Sequence, residues 1–151
     1  MFDLSKLETY RETDRIEAKR ALGGLPESLW ETYSAFANTK GGVILLGVGE
    51  RKDRSLYPVD LPNPTELMRE FWRIVSDPKL VSVNLLTDED VCWMEVEGKD
   101  VIVIEIPAAP RSKRPVYIGG DPFFGAYHRE GDGDYRLPRE AVQQMLEEAK
   151  E

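Results

Sequence analysis

Cysteine and histidine are nearly missing: Cys92 and His128 stand alone in 151 residues. A single cysteine closes no internal disulfide, and one Cys with one His cannot make the tetrad of a structural zinc site, so no zinc is expected. Long apolar runs are missing too. The two longest, Val43 to Val48 and Val101 to Ile106, fall far short of the roughly 18 residues that span a bilayer. No basic-then-apolar leader follows Met1, so secretion and membrane insertion are both disfavoured. The expectation is a reduced, cytoplasmic protein without a membrane partner.

An excess of positive charge is also lacking. The formal net charge is −8, with 20 Lys and Arg against 28 Asp and Glu, whereas a domain that coats nucleic acid runs strongly the other way. The imbalance is local. Residues 56–106 carry four basic against eleven acidic side chains, while residues 1–55 are even at nine each and residues 107–151 stand at seven against eight. A locally basic surface built from the two ends is therefore compatible with the composition. Tight non-specific binding at physiological salt is not, because few phosphate counterions would be released.

What is present reads as one α+β domain, residues 1–151, with a mixed sheet. Ser5 to Tyr10 suits a helical turn, and Arg15 to Lys19 alternates like a half-buried strand. Pro26 opens a helix over 26–38, with Leu29, Trp30, Tyr33, Phe36 and Ala37 at three- and four-residue spacing and Gly41-Gly42 as its stop. The run 43–48 between glycines predicts a central strand buried on both faces. A second helix is expected over 64–76, ended by Asp77-Pro78. Leu80 to Leu86, Val91 to Val96 and Val101 to Ile106 then predict a three-stranded antiparallel meander over 80–106. Pro115 to Ile118 and Gly125 to Arg129 suit short strands, and a last helix over 138–149 runs to an uncapped tail, as in a piece of a longer protein or a fraying end. Trp30, Trp72 and Trp93 occupy apolar-periodic positions and read as core. No internal repeat is visible.

Three stretches carry more than fold. They are Glu12 to Lys19 (ETDRIEAK), Ser34 to Glu50 (SAFANTKGGVILLGVGE), and Arg114 to Tyr117 (RPVY) with Gly125 to Gly131 (GAYHREG). Together they resemble the Schlafen-like, AlbA-type nucleic-acid-binding domain over about Leu7 to Leu146, the middle stretch being the specific one. The resemblance implies an α+β domain of the kind found in bacterial transcriptional regulators and, in animal Schlafens, in an RNA-cleaving module. It also implies that Glu12, Glu17 and Glu50 match the acidic triad of the Schlafen ribonucleases.

The residues themselves leave alternatives open. Clustered carboxylates suit magnesium or manganese, which prefer oxygen ligands and can activate water for phosphodiester cleavage. In that case Glu12, Glu17 and Glu50 are metal ligands and catalytic residues, and Lys19 neutralises the phosphate. The plainer reading of Glu17-x-Lys19 is an ion pair on one strand face. The sequence departs from the nuclease pattern in having Glu50 where the shorter Asp is usual, and in having one lobe where the animal module has two. A homodimer would supply the second. Under the binding reading, Lys19, Asn38, Thr39, Gly41, Gly42, Arg114, Tyr117, Tyr127 and Arg129 meet DNA or RNA, with Arg111, Lys113, Arg136, Arg139 and Tyr135 as further cation and aromatic candidates. The plainer readings are a helix cap for Gly41-Gly42, a mixed-charge loop region for the arginines, and a strand residue for His128. No Gly-Lys-Ser/Thr follows the glycines, so this is no Walker loop. The sequence thus predicts first a nucleic-acid-binding regulatory module, as an alternative a metal-dependent endoribonuclease, and third a protein-interaction domain.

Overall fold

Strand β1 (Ile16–Lys19) runs parallel to β2 (Gly42–Leu46), and helix α1 (Ser28–Ala37) makes the crossover between them. The computed structural model describes residues 2–151. After β2 come β3 (Val48–Glu50), β4 (Leu56–Pro58) and helix α2 (Pro64–Val75). The chain then gives β5 (Val91–Val96) and β6 (Lys99–Ile106), a short α3 (Pro122–Gly125), the hairpin β7 (Tyr127–Glu130) and β8 (Gly133–Arg136), and α4 (Arg139–Ala149). The main sheet has the order β1-β2-β6-β5, so the fold is α+β with a mixed sheet and β2 inside it.

Side chains alternate across a strand, and here both sides are covered. Ile44 and Leu46 of β2 join Ile102, Ile104 and Ile106 of β6 beneath α1 and α2, where Trp30 stacks on Phe71 with ring centroids 5.1 Å apart. Leu45, Val101 and Val103 face the other way, onto Leu4, Leu7, Val48 and Leu56. Two-sided burial is why β2 reads as an unbroken apolar run, and truncating a residue such as Ile104 to Ala should cost about 2–5 kcal/mol. A third, smaller cluster seats Val142 of α4 on Ala126 and Leu137.

Three expectations need correction. The strand expected over 43–48 breaks at Gly47, which turns at φ +84 where a Cβ would come 2.7 Å from Leu61 Cγ and 2.9 Å from the Asp100 carbonyl oxygen. A left-handed, crowded position requires glycine, and the chain leaves the main sheet there to pair β3 with β4. The meander has two strands, not three. Leu80 to Leu86 instead runs irregularly, its polar backbone served by the buried Tyr33 hydroxyl, which donates to the Val83 carbonyl (2.9 Å) and accepts from the Leu85 N–H (3.0 Å). Burial pushes that phenol up to about 12, so it keeps its proton for both bonds. Trp93 is not core: it is half exposed on β5, the sheet edge, and its indole N–H donates to Asp100 at 3.0 Å. No helix among the described residues is long and apolar enough to cross a membrane.

Candidate functional site

One buried arginine reaches from the β7–β8 hairpin to β1, beside the hydrogen bonds that α1 and its end make to the same hairpin. Arg129 has no exposed side-chain surface. Its Nη1 donates to Glu17 Oε1 at 2.9 Å and to Asp134 Oδ1 at 2.7 Å, its Nη2 donates to the carbonyls of Thr13 (2.8 Å) and Ile16 (3.2 Å), and its Nε donates to Thr13 at 3.2 Å. The guanidinium carbon lies 4.8 Å from the Phe36 ring centroid. Burial alone would lower its pKa, but Asp134 and Glu17 outweigh that and hold it above the ordinary value. Asp134 is shared with α1, accepting from Thr32 Oγ1 at 2.6 Å. Arg129 therefore ties β1, α1 and the hairpin together and has no face for a phosphate.

The three glutamates gather beside this clamp, with Glu12 in the middle. Glu12 Oε2 accepts from the Ala18 N–H at 3.0 Å. Its carboxyl is held above the ordinary range first by burial and then by Glu17, with the Ala18 N–H and the Glu50 side chain acting in the opposite direction. Glu50, exposed at the end of β3, is also raised, by desolvation first and then by Glu12. Glu17 is already neutralised, by Arg129 and by Lys19, whose Nζ lies 3.9 Å from Oε2 and donates to Ser28 Oγ at 3.0 Å. Among the described residues no group of three or more His, Cys, Asp or Glu has the arrangement that would hold a metal ion. The carboxylates converge, but with Glu17 committed to two cations the set does not fit a divalent ion as it stands.

The Asn38 to Gly42 stretch is likewise spent on the fold. Buried Asn38 donates through Nδ2 to the carbonyls of Val116 and Tyr127 (2.9 Å each) and accepts through Oδ1 from the Val116 N–H at 2.8 Å. Thr39 Oγ1 donates to Ala35 (2.7 Å) and accepts from the Arg129 N–H (3.0 Å). Gly41 turns at φ +76, with the Ile106 carbonyl oxygen 2.7 Å from where its Cβ would be, and a Gly42 Cβ would lie 2.9 Å from the Arg15 carbonyl oxygen. Neighbouring backbone occupies the space that a ligand would need. Arg114 donates to the Ala109 (2.8 Å) and Thr39 (3.2 Å) carbonyls, and Tyr117 and Tyr127 are half buried. The three carboxylates lie near one another around Glu12; the glycine and asparagine motif serves as internal structure.

The pattern of the family described as Schlafen, AlbA_2 matches residues 12–138. The chain belongs to the Schlafen AlbA_2 family. Its fold is similar to the N-terminal domain of a RecG-related protein from Nitrosomonas europaea, at 33% identity over 89% of this chain and 90% of that one, with a TM-score of 0.63. It is also similar in fold to the DIP2311 protein from Corynebacterium diphtheriae, at 20% identity over 87% of this chain and 23% of that one, with a TM-score of 0.52. No curated protein matches the chain.

Among the described residues of this Schlafen AlbA_2 domain, two open surfaces combine cations with aromatic rings. One lies on α3, β8 and the start of α4, where Phe124 is 64% and Tyr135 54% exposed, Arg136 lies 5.9 Å from the Phe124 centroid and Arg139 4.4 Å from that of Phe123. The other, absent from the sequence expectations, is the β3–β4 hairpin, where Arg20 and Arg51 approach Tyr57. Its sequence signal is the charge run Arg51-Lys52-Asp53-Arg54 directly after Glu50. A tyrosine six residues past Arg51 and an arginine from β1's far end give no local hint that they join it. The exposed pair of Arg54 with Asp132, 3.9 Å apart, brings the tips of the two hairpins together.

Proposed function

We propose that this domain is a nucleic-acid-binding regulatory module that contacts DNA or RNA through the surface around α3, β8 and the start of α4, with Phe124, Tyr135, Arg136 and Arg139 as the contacting side chains. The exposed Phe124 ring with the Arg136 guanidinium 5.9 Å from its centroid carries the reading, and Tyr135, on the other side of β8, offers a second exposed ring. Rings left in water offer stacking surface to unpaired bases, and adjacent cations hold the backbone that joins those bases. Family membership and the likeness to a domain of a RecG-related protein support the same assignment. A net charge of −8 argues for modest affinity that falls steeply with salt.

Fluorescence anisotropy of labelled single-stranded DNA and RNA across a salt series tests it. Each of Phe124→Ala and Tyr135→Ala should weaken binding about tenfold, since stacking on one ring contributes roughly 1–3 kcal/mol. No binding by the wild type at low salt would put the protein-interaction reading in its place.

Metal-dependent RNA cleavage is the second reading, favoured by one observation, the influence of both Glu17 and Glu50 on the Glu12 carboxyl. A divalent ion could enter there only by displacing Arg129 and Lys19 from Glu17. Incubation of wild type and Glu17→Gln with structured RNA, in manganese or in chelator, separates the two readings. We expect no cleavage by either protein; cleavage by the wild type alone, abolished by chelator, would reverse the order.

A further inference from the structure

We infer that the β3–β4 hairpin is a clamp for the phosphodiester backbone, with Arg20 and Arg51 as its two cationic arms and Tyr57 as the support that aims them. The inference rests on the nucleic-acid reading above and adds a second contact, of a different kind, to the aromatic face.

The hairpin is built around a ring. Gly49 and Tyr57 are directly paired across β3 and β4, and a Cβ on Gly49 would lie 2.9 Å from Tyr57 Cζ. The tyrosine therefore lies against glycine backbone, which covers a weak point in the strand and fixes the ring. Onto that ring come two guanidinium groups from different elements. Arg51, one residue past β3, places its central carbon 4.8 Å from the centroid. Arg20, one residue past β1, lies 5.6 Å from it and donates from Nη2 to the Tyr57 hydroxyl at 2.6 Å. Both arginines are exposed.

Two like charges drawn to one ring repel each other, and the attraction of the ring for each only partly offsets this. An oxyanion placed between them relieves the repulsion and takes the guanidinium donors that the Tyr57 hydroxyl, Ser55 Oγ and the Leu56 carbonyl leave unused. The acid in the turn, Asp53, feels the charge of Arg51 but makes its hydrogen bonds elsewhere. Asp53 is turned onto its own loop, accepting from the Ser55 N–H at 2.9 Å and from Ser55 Oγ at 2.6 Å. Exposed Lys52 and Arg54 extend the positive strip, and Arg54 reaches Asp132 in the neighbouring hairpin turn, so the strip abuts the strand that carries Tyr135 and Arg136.

The chemistry recognised is backbone rather than base. Tyr57 is half buried, supported by Gly49 and engaged by Arg20 through its hydroxyl, so it has no free face on which a base could stack. The clamp should therefore hold single and double strands alike and be indifferent to sequence, while the exposed rings of Phe124 and Tyr135 favour unpaired bases.

The test uses the full chain, a fluorescein-labelled oligo-dT of about 20 nucleotides, a duplex of equal length, and inorganic pyrophosphate. The double variant Arg20→Ala/Arg51→Ala should bind both oligonucleotides at least about tenfold more weakly, and its salt dependence should flatten by roughly 0.7 to 0.9 per lost contact. Arg69→Ala, an equal kind of charge loss on exposed α2, should leave affinity and slope unchanged, and Tyr57→Phe should weaken binding less than the double variant. Matching circular-dichroism melts certify that the variants are folded. A folded double variant with wild-type slope and affinity overturns the clamp while leaving nucleic-acid binding standing. Loss of pyrophosphate binding without loss of oligonucleotide binding also overturns it, as a site for free phosphates. If the wild type binds neither oligonucleotide at low salt, the reading beneath the clamp fails, and the clamp with it.

Discussion

Arg129 and Arg51 are the same side chain in opposite surroundings. Arg129 is sealed inside, with its donors distributed over two carboxylates and two carbonyls and its plane near Phe36. Arg51 is exposed over Tyr57, with only longer contacts to Ser55 Oγ (3.3 Å) and the Leu56 carbonyl (3.5 Å). Arginine in the family-like GAYHREG stretch suggests phosphate binding, yet burial makes it structural; arginine in an unremarked charge run is the one with donors to spare. Residue type and motif membership say less about role than the number of partners the fold already provides.

The largest expected effect would break the buried side of this contrast. Arg129→Ala removes the cation shared by Glu17 and Asp134, leaving Glu17 only Lys19 at 3.9 Å, and should destabilise the domain by about 3–5 kcal/mol in urea unfolding. Arg129→Lys should recover little, because one ammonium cannot reproduce the forked contacts. A loss under about 1 kcal/mol would mean that the hairpin is held by packing instead.

Asn38→Ala comes next. It strands the buried Val116 N–H, whose acceptor is Asn38 Oδ1 at 2.8 Å, and should cost roughly 2–3 kcal/mol in the same measurement.

A smaller, pH-dependent effect sharpens the boundary between the two regions, where Glu12 and Glu50 lie. Both carboxyls are raised above the ordinary 4.5, first by desolvation. The folded chain then holds protons that the unfolded chain releases, so stability declines as pH climbs from 4.5 through the raised values and stays at its lower level above them. Asp3 and Asp53, lowered mainly by hydrogen bonds from serines, act in the opposite sense below 3.8 and leave this window clear. Glu12→Gln should flatten the decline in melts between pH 4.5 and 7; an unchanged slope would assign it elsewhere. Manganese should not raise the wild-type melting temperature, given the commitment of Glu17 to Arg129 and Lys19. A rise that Glu17→Gln abolishes would show that the ion displaces those partners.

The smallest effect belongs to the exposed side. Arg51→Ala should change stability by less than about 0.5 kcal/mol, as an exposed side chain with weak contacts does. A larger loss would make Arg51 part of the hairpin's structure and weaken its claim on a ligand.

The sequence by itself determined the parts of the fold that depend on near neighbours. Apolar spacing is enough for α1 and α2, and an unbroken β-branched run is enough for β2 inside the sheet, because two-sided burial leaves no polar face to disguise it. The motif stretches were enough for the family, and they marked the glutamates that meet at Glu12. Leu80 to Leu86 carries a strand-like pattern but makes only an isolated antiparallel bridge, Val81 with Ile118, while Val81 and Leu86 are buried and the Tyr33 hydroxyl serves the backbone beyond it. Only the tertiary structure decided which charges are spent and which are free. Arg129 meets Glu17 across 112 residues and Arg20 meets Tyr57 across 37. A side chain's role depends on what else reaches it, and partners so distant leave no periodicity in the sequence, since they are brought together only when apolar burial closes the sheet and its hairpins around them.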